Sequence, residues 1–161
     1  ELSLVGQGVV DLMNTIGSAN GLRLLFDPPG LFQDSPSVKL KRGTVGWGTC
    51  AGMGACTLYD TVWFFNALFS HNDNTIRTTA VHELGHVLDH KHLARRASLL
   101  SQMLSGYDTH HLTNYGESNR SEYWAEAIAI WVYGGLYKGN ERGRQGLLPL
   151  QVQMLEGWLL R

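Results

Sequence analysis

The string VHELGHVLDH (81–90) sets His82 and His86 four residues apart. On a helix that is one turn, so both imidazoles project from one face. Two neutral imidazoles so placed can share a single tetrahedral Zn2+ at about 2.0–2.1 Å each. Glu83 stands beside the first histidine and can reach a zinc-bound water without ligating the metal. Zinc lowers the pKa of that water towards about 7, so a carboxylate can take its proton and send the hydroxide to a carbonyl carbon. The spacing therefore points to one catalytic Zn2+, hydrolytic chemistry, and Glu83 as the base. A chance match on an exposed helix would gain nothing by burying two histidines and a glutamate, yet Val81, Leu84, Val87 and Leu88 surround them with apolar side chains. Gly85 is read as leaving room beside the metal.

A catalytic zinc needs a third protein ligand and one open position. Two candidates compete. His92 lies ten residues after His82, the offset of the metzincin pattern HExxHxxGxxH. That pattern uses glycine for the sharp turn before the third histidine, whereas this chain has Asp89, which tolerates left-handed backbone less readily. If the helix instead runs on through Lys91, His92 rotates away from the metal. No convincing Met-turn follows. The other candidates are Glu122 and Glu126, four apart in SEYWAEAIAIWVYG (121–134), a stretch without a basic partner. Burying an unpaired carboxylate costs several kcal/mol, so a metal or a ligand imidazole is the natural partner for each. Ala125 and Ala129 on the same stretch would let another helix approach closely. Tyr115, taken by itself, is as readily an ordinary loop tyrosine as a functional one.

At this point the residues resemble a known family. TNYGESNRSEYWAEAI (113–128) is similar to the corresponding stretch of the anthrax lethal factor catalytic domain and of the clostridial Pro-Pro endopeptidases. There an HExxH helix is followed by a tyrosine and, seven residues later, by a glutamate that opens an E-aromatic-aromatic-A-E-[AS] motif. Tyr115 precedes Glu122 by seven, and Glu122-Tyr123-Trp124-Ala125-Glu126-Ala127 fits throughout. The resemblance spans about residues 62–160, departs at Ile128 where the family has Phe, and does not extend to the segment around Cys50 and Cys56. It implies a gluzincin in which Glu122 is the third zinc ligand, Tyr115 stabilises the tetrahedral oxyanion and Glu126 supports a ligand imidazole. It also implies peptide or protein substrates, with proline-containing peptides worth testing.

The elements that must position these groups follow from periodicity. Leu4, Val5, Val9, Val10, Leu12, Met13 and Ile16 form an apolar stripe of helical period. LRLLF (22–26) reads as a strand stopped by Asp-Pro-Pro-Gly at 27–30, and residues 31–58 as short strands or a hairpin. TVWFFNALF (61–69) reads as a strand, and as the edge along which an extended substrate would pair. SHNDN (70–74) offers N-caps for a helix over 75–92. Further helices are expected at about 95–105, 121–134 and 147–160, the last with Pro149 in its first turn. The expected fold is α+β and zincin-like. A small N-terminal mixed sheet is backed by a helix; the HExxH helix follows, and a helical C-terminal half carries the glutamate ligand.

The chain has 161 residues, 43% of them hydrophobic, which suits one catalytic domain over residues 1–161 and a monomer. A net charge of −1 and a pI near 6.7 argue against nucleic acid as a partner. No apolar run reaches the roughly 20 residues of a membrane span. The chain opens on Glu1, which suits a matured or trimmed protein, secreted or extracellular, or a domain cut from a larger toxin or surface protein. Gly52 and Gly54 let the loop between Cys50 and Cys56 fold back, so these cysteines read as a disulfide or as two free thiols. Trp47 and Trp63 are candidates for an aromatic wall against a proline ring, or for core. His71, His90, His110 and His111 read as surface or loop histidines. The alternatives to a gluzincin are a metzincin-type peptidase using His92 and a non-catalytic zinc or peptide-binding domain.

Overall fold

The computed structural model describes residues 2–17, 38–88, 104, 106–134 and 146–159. The strand expected at 22–26, the turn at 27–30, nearly all of the helix at 95–105, and His90 and His92 lie outside these residues. Helix α1 (Leu2–Thr15) buries Val5, Val9 and Leu12, and Ile16 continues that face just beyond its end, a spacing that keeps one side of the helix inward. Strand β1 (Lys39–Arg42), strand β2 (Ala55–Leu58) and strand β3 (Thr61–Phe64) follow. Helices α2 (Asp73–Leu88), α3 (Arg120–Tyr133) and α4 (Pro149–Leu159) complete the described elements.

The sheet is mixed, in the order β1-β3-β2. Strand β3 runs parallel to β1, with Lys39 opposite Thr61, and antiparallel to β2, with Ala55 opposite Phe64. This corrects the reading of TVWFFNALF in two ways. The strand ends at Phe64, and Asn66–Ser70 turn into a 3-10 helix. Phe64 and Phe65 are both buried, which a two-residue alternation cannot achieve on one face; Phe65 packs instead in a separate cluster with Cys50 and Cys56. Nor is this segment the edge: it is the central strand. Among the described residues the edge on that side is β2.

Ladder bonds define which backbone groups β2 leaves free. Phe65 N–H donates to the Gly54 carbonyl, and Gly43 N–H donates to that of Phe64 (2.9 Å each). By alternation, residues 54, 56 and 58 face β3, while the N–H and C=O groups of Ala55 and Thr57 point away from it.

Helix α2 begins where the polar cluster predicted: the Asn72 side chain accepts from the Thr75 N–H (2.9 Å). Every residue from Ala80 to Leu88 is buried, because α2 is covered by α1, α3 and β2. Gly85 has a different purpose from the one its neighbours suggested. A Cβ there would lie 3.1 Å from the Ala125 Cα and 3.4 Å from the Ile128 Cβ, so the glycine admits α3 rather than the metal. The Trp124 indole N–H fastens the crossing by donating to the Gly85 carbonyl (2.8 Å). Gly85→Val is expected to destabilise the fold by about 1–3 kcal/mol through overpacking. A lower urea midpoint would show it; an unchanged midpoint would mean that the crossing tolerates a wider spacing.

Candidate metal centre

Helix α2 points His82, Glu83 and His86 into the interior side of a cleft of about 580 Å3, and all three are buried. Helix α3 supplies the facing carboxylate. Its N-cap is Asn119, whose side chain accepts from the Glu122 N–H (2.9 Å). Glu122 therefore sits in the first turn, where the helix dipole favours negative charge. His82 Nε2 lies 2.9 Å from Glu122 Oε2 and 3.2 Å from His86 Nε2, and His86 Nε2 lies 3.2 Å from Glu122 Oε1.

Two imidazole nitrogens and a carboxylate oxygen form the donor set zinc prefers at catalytic sites, and their mutual distances test the fit. With bonds of about 2.0–2.1 Å, the edge of a tetrahedron of ligands is about 3.3 Å, close to the separations found. Among the described residues this is the one group of three or more His, Cys, Asp or Glu side chains gathered closely enough to hold a metal ion.

The electrostatics favour a cation. Burial opposes a charged imidazolium at His82, but hydrogen bonds to Glu122 and Glu126 outweigh it and push the group up to about 10. Burial would likewise raise Glu122, yet His82 and His86 hold its carboxyl down at about 2. Positive charge is thus stabilised among these groups, whether carried by a proton or by a metal.

Comparison with protein-family models, with curated proteins and with solved structures returns no match. What the site can do is read from its own geometry. The buried His82-Glu83-x-x-His86 pair with a distal Glu122 is consistent with a gluzincin-type zinc-binding architecture. His92 lies outside the described residues.

The side chains of His82, Glu83 and His86 are held from behind. Glu126, 2% exposed, accepts from His82 at Nδ1 (2.9 Å), as its spacing from Glu122 suggested. The Ser121 hydroxyl meets His86 Nδ1 (3.1 Å). Thr57 Oγ1 on β2 lies 2.6 Å from Glu83 Oε2 and donates to it. Thr113 Oγ1 donates to Glu126 Oε1 (2.7 Å). Reading the sequence found Glu126 but missed Thr57, Thr113 and Ser121. Thr113 lay inside the TNYGESNRSEYWAEAI stretch and Ser121 beside Glu122, so position alone could have flagged them; nothing local marks Thr57.

Tyr115 opens a 3-10 turn (Tyr115–Glu117), is half exposed and lines the cleft, its ring centroid 5.7 Å from that of His82. Burial, with the nearby charges of Glu122 and Glu83, pushes its hydroxyl up to about 12, so it remains a donor. The edge strand β2 forms the opposite wall through Ala55, Cys56 and Thr57. Cys50 and Cys56 are joined as a disulfide with Cα atoms 5.7 Å apart. Trp47 and Trp63 pack edge-to-face against each other at 4.9 Å and do not line the cleft. His71 is exposed at the cleft rim. His110 meets the Gly146 carbonyl (2.5 Å) and exposed His111 meets Glu117 (2.5 Å), both away from the cleft lining.

Proposed function

We propose that this chain is a zinc-dependent endopeptidase of the gluzincin type, similar to the lethal factor and Pro-Pro endopeptidase family. The observation that carries this reading is the triad of buried His82 and His86 with partly buried Glu122, Glu83 beside it, set in a cleft against the edge strand β2. His82, His86 and Glu122 are the ligands of one Zn2+. Zinc bound there would lower the pKa of water and polarise the scissile carbonyl.

The remaining work falls to protein groups. Glu83, oriented by Thr57, takes the proton of the attacking water and passes it to the departing amine. Tyr115 donates its hydroxyl to the oxyanion as charge develops. Glu126, bonded to His82 at Nδ1, orients the ring so that Nε2 is the nitrogen that would ligate zinc. An extended peptide adds to the sheet through the outward backbone groups of Ala55 and Thr57 on β2. Peptides containing proline are the first substrates to try, on the strength of the resemblance.

The protein is read as a single catalytic domain and a monomer that works outside the cell. The Cys50–Cys56 disulfide supports an oxidising compartment. Among the described residues no helix is long and apolar enough to cross a membrane.

Zinc quantitation, combined with cleavage of casein and of a peptide library read by mass spectrometry, with and without chelator, tests the proposal. Zinc at one per chain and chelator-sensitive cleavage are expected. Stoichiometric zinc with no cleavage of any peptide would leave a zinc or peptide-binding domain instead.

Tyr115→Phe should lower kcat by about 10²–10³-fold, the cost of losing one oxyanion donor, without changing zinc content. Because Tyr115 titrates only at about 12, the replacement should scale the whole pH–rate profile down and leave its alkaline limb in place. An unchanged kcat would remove Tyr115 from the mechanism.

A further inference from the structure

Thr113 precedes the turn that carries Tyr115, is 4% exposed, and is not among the residues lining the cleft. Its hydroxyl nonetheless connects the two halves of the site. It accepts from the Gly116 N–H (3.0 Å) and lies 2.7 Å from Glu126 Oε1. A hydroxyl has one proton to give, and an amide N–H can only donate. The one threonine proton is therefore directed to Glu126 Oε1.

The other oxygen of Glu126, Oε2, lies 2.9 Å from His82 Nδ1. This contact orients the ring so that Nε2 lies beside Glu122 and His86, where it could ligate zinc. At the other end of this hydrogen-bonded series, Gly116 directly follows Tyr115 and packs against the same groups. A Cβ on Gly116 would stand 3.2 Å from Thr113 Oγ1 and 3.5 Å from the Glu126 Cγ. Gly116, Thr113, Glu126 and His82 are thus joined in one connected series of hydrogen bonds.

We propose that Thr113 is a positioning residue that locks His82 and the Tyr115 turn to each other through Glu126, an inference that rests on the zinc peptidase reading above. Valine keeps the shape of threonine and removes both hydrogen bonds. Serine keeps the bonds and removes a methyl group.

Zinc affinity is measured on the whole chain by competition with a chromophoric chelator, and kcat and KM at saturating zinc. Thr113→Val is expected to weaken zinc binding by about tenfold, the low end of the cost of losing a ligand's direct partner, because Thr113 acts on His82 through Glu126. It should also lower kcat with little change in KM, because the Tyr115 turn loses its anchor. Thr113→Ser should restore both. In a Glu126→Gln background the same valine replacement should add little to the loss of affinity, since its route to His82 is already cut.

Native zinc affinity in Thr113→Val would overturn the proposal. So would a serine variant as impaired as the valine one, or a valine effect undiminished in the Glu126→Gln background. Should Thr113→Val not fold by circular dichroism, Thr113→Ala removes the same hydroxyl with less bulk and carries the same expectations. A wild-type chain that takes up no zinc would instead overturn the reading of the site itself, and this inference with it.

Discussion

Glu83→Gln is expected to bind zinc like the wild type and to lose cleavage by a factor on the order of 10²–10⁴, the scale of general acid–base catalysis. The separation of the two effects follows from where Glu83 sits. It is next to His82 on α2, yet the triad is complete without it. Its Oε2 faces Thr57 Oγ1 on the strand that walls the cleft. A glutamine has nearly the same shape, and its amide oxygen can still accept from Thr57, so folding and metal uptake should survive. What the amide lacks is a basic oxygen to take a proton from water at neutral pH. Single-turnover cleavage of a reporter peptide, alongside zinc quantitation, checks both halves. Residual activity within about tenfold of wild type would take the base assignment away from Glu83, because general-base catalysis contributes more than that.

How far the site was legible in the sequence depended on how local each relation is. His82 and His86 lie on one helix, and a four-residue spacing forces their side chains to the same face whatever surrounds them. Glu122 and Glu126 were legible for a different reason. Carboxylates in an apolar helix need partners, and the resemblance around Tyr115 said which partner belonged to which. The overall architecture, a mixed N-terminal sheet backed by a helix with the glutamate on a later helix, matches the expectation, although β3 is shorter than expected and the 22–26 strand lies outside the described residues.

Relations that depend on chain crossing were not legible. Thr57 reaches Glu83 across 26 positions, from a four-residue strand too short to show a period. Aromatic and β-branched content made TVWFFNALF look like one long strand, but nothing in it signals that two consecutive phenylalanines are buried in separate clusters. Strand order was equally hidden, since β1 reaches β3 past β2 in sequence. Gly85 was read through its nearest neighbours in sequence, whereas its real neighbour is Ala125, forty residues away in α3.

Glu122→Ala and His92→Ala should differ most in zinc uptake, and the pair decides between the two ways of completing the triad. Glu122 brings both carboxylate oxygens to the histidines, within 2.9 Å of His82 and 3.2 Å of His86. Removing it deletes a ligand and also the negative charge that stabilises a cation between two imidazoles, so the loss of affinity should exceed the 10–100-fold typical of a supporting residue. The helix itself should survive. Its cap is made by Asn119 to the backbone N–H of residue 122, a group that alanine retains. Circular dichroism close to wild type is therefore expected alongside zinc-free protein after dialysis. His92→Ala is expected to leave zinc affinity unchanged, because on the proposed reading His82, His86 and Glu122 would already provide the three protein ligands that leave one position open for chemistry. The reverse result, with metal lost from His92→Ala and kept in Glu122→Ala, would place the third ligand after the helix and make the centre a metzincin one; Glu122 would then be a carboxylate that only orients the histidines.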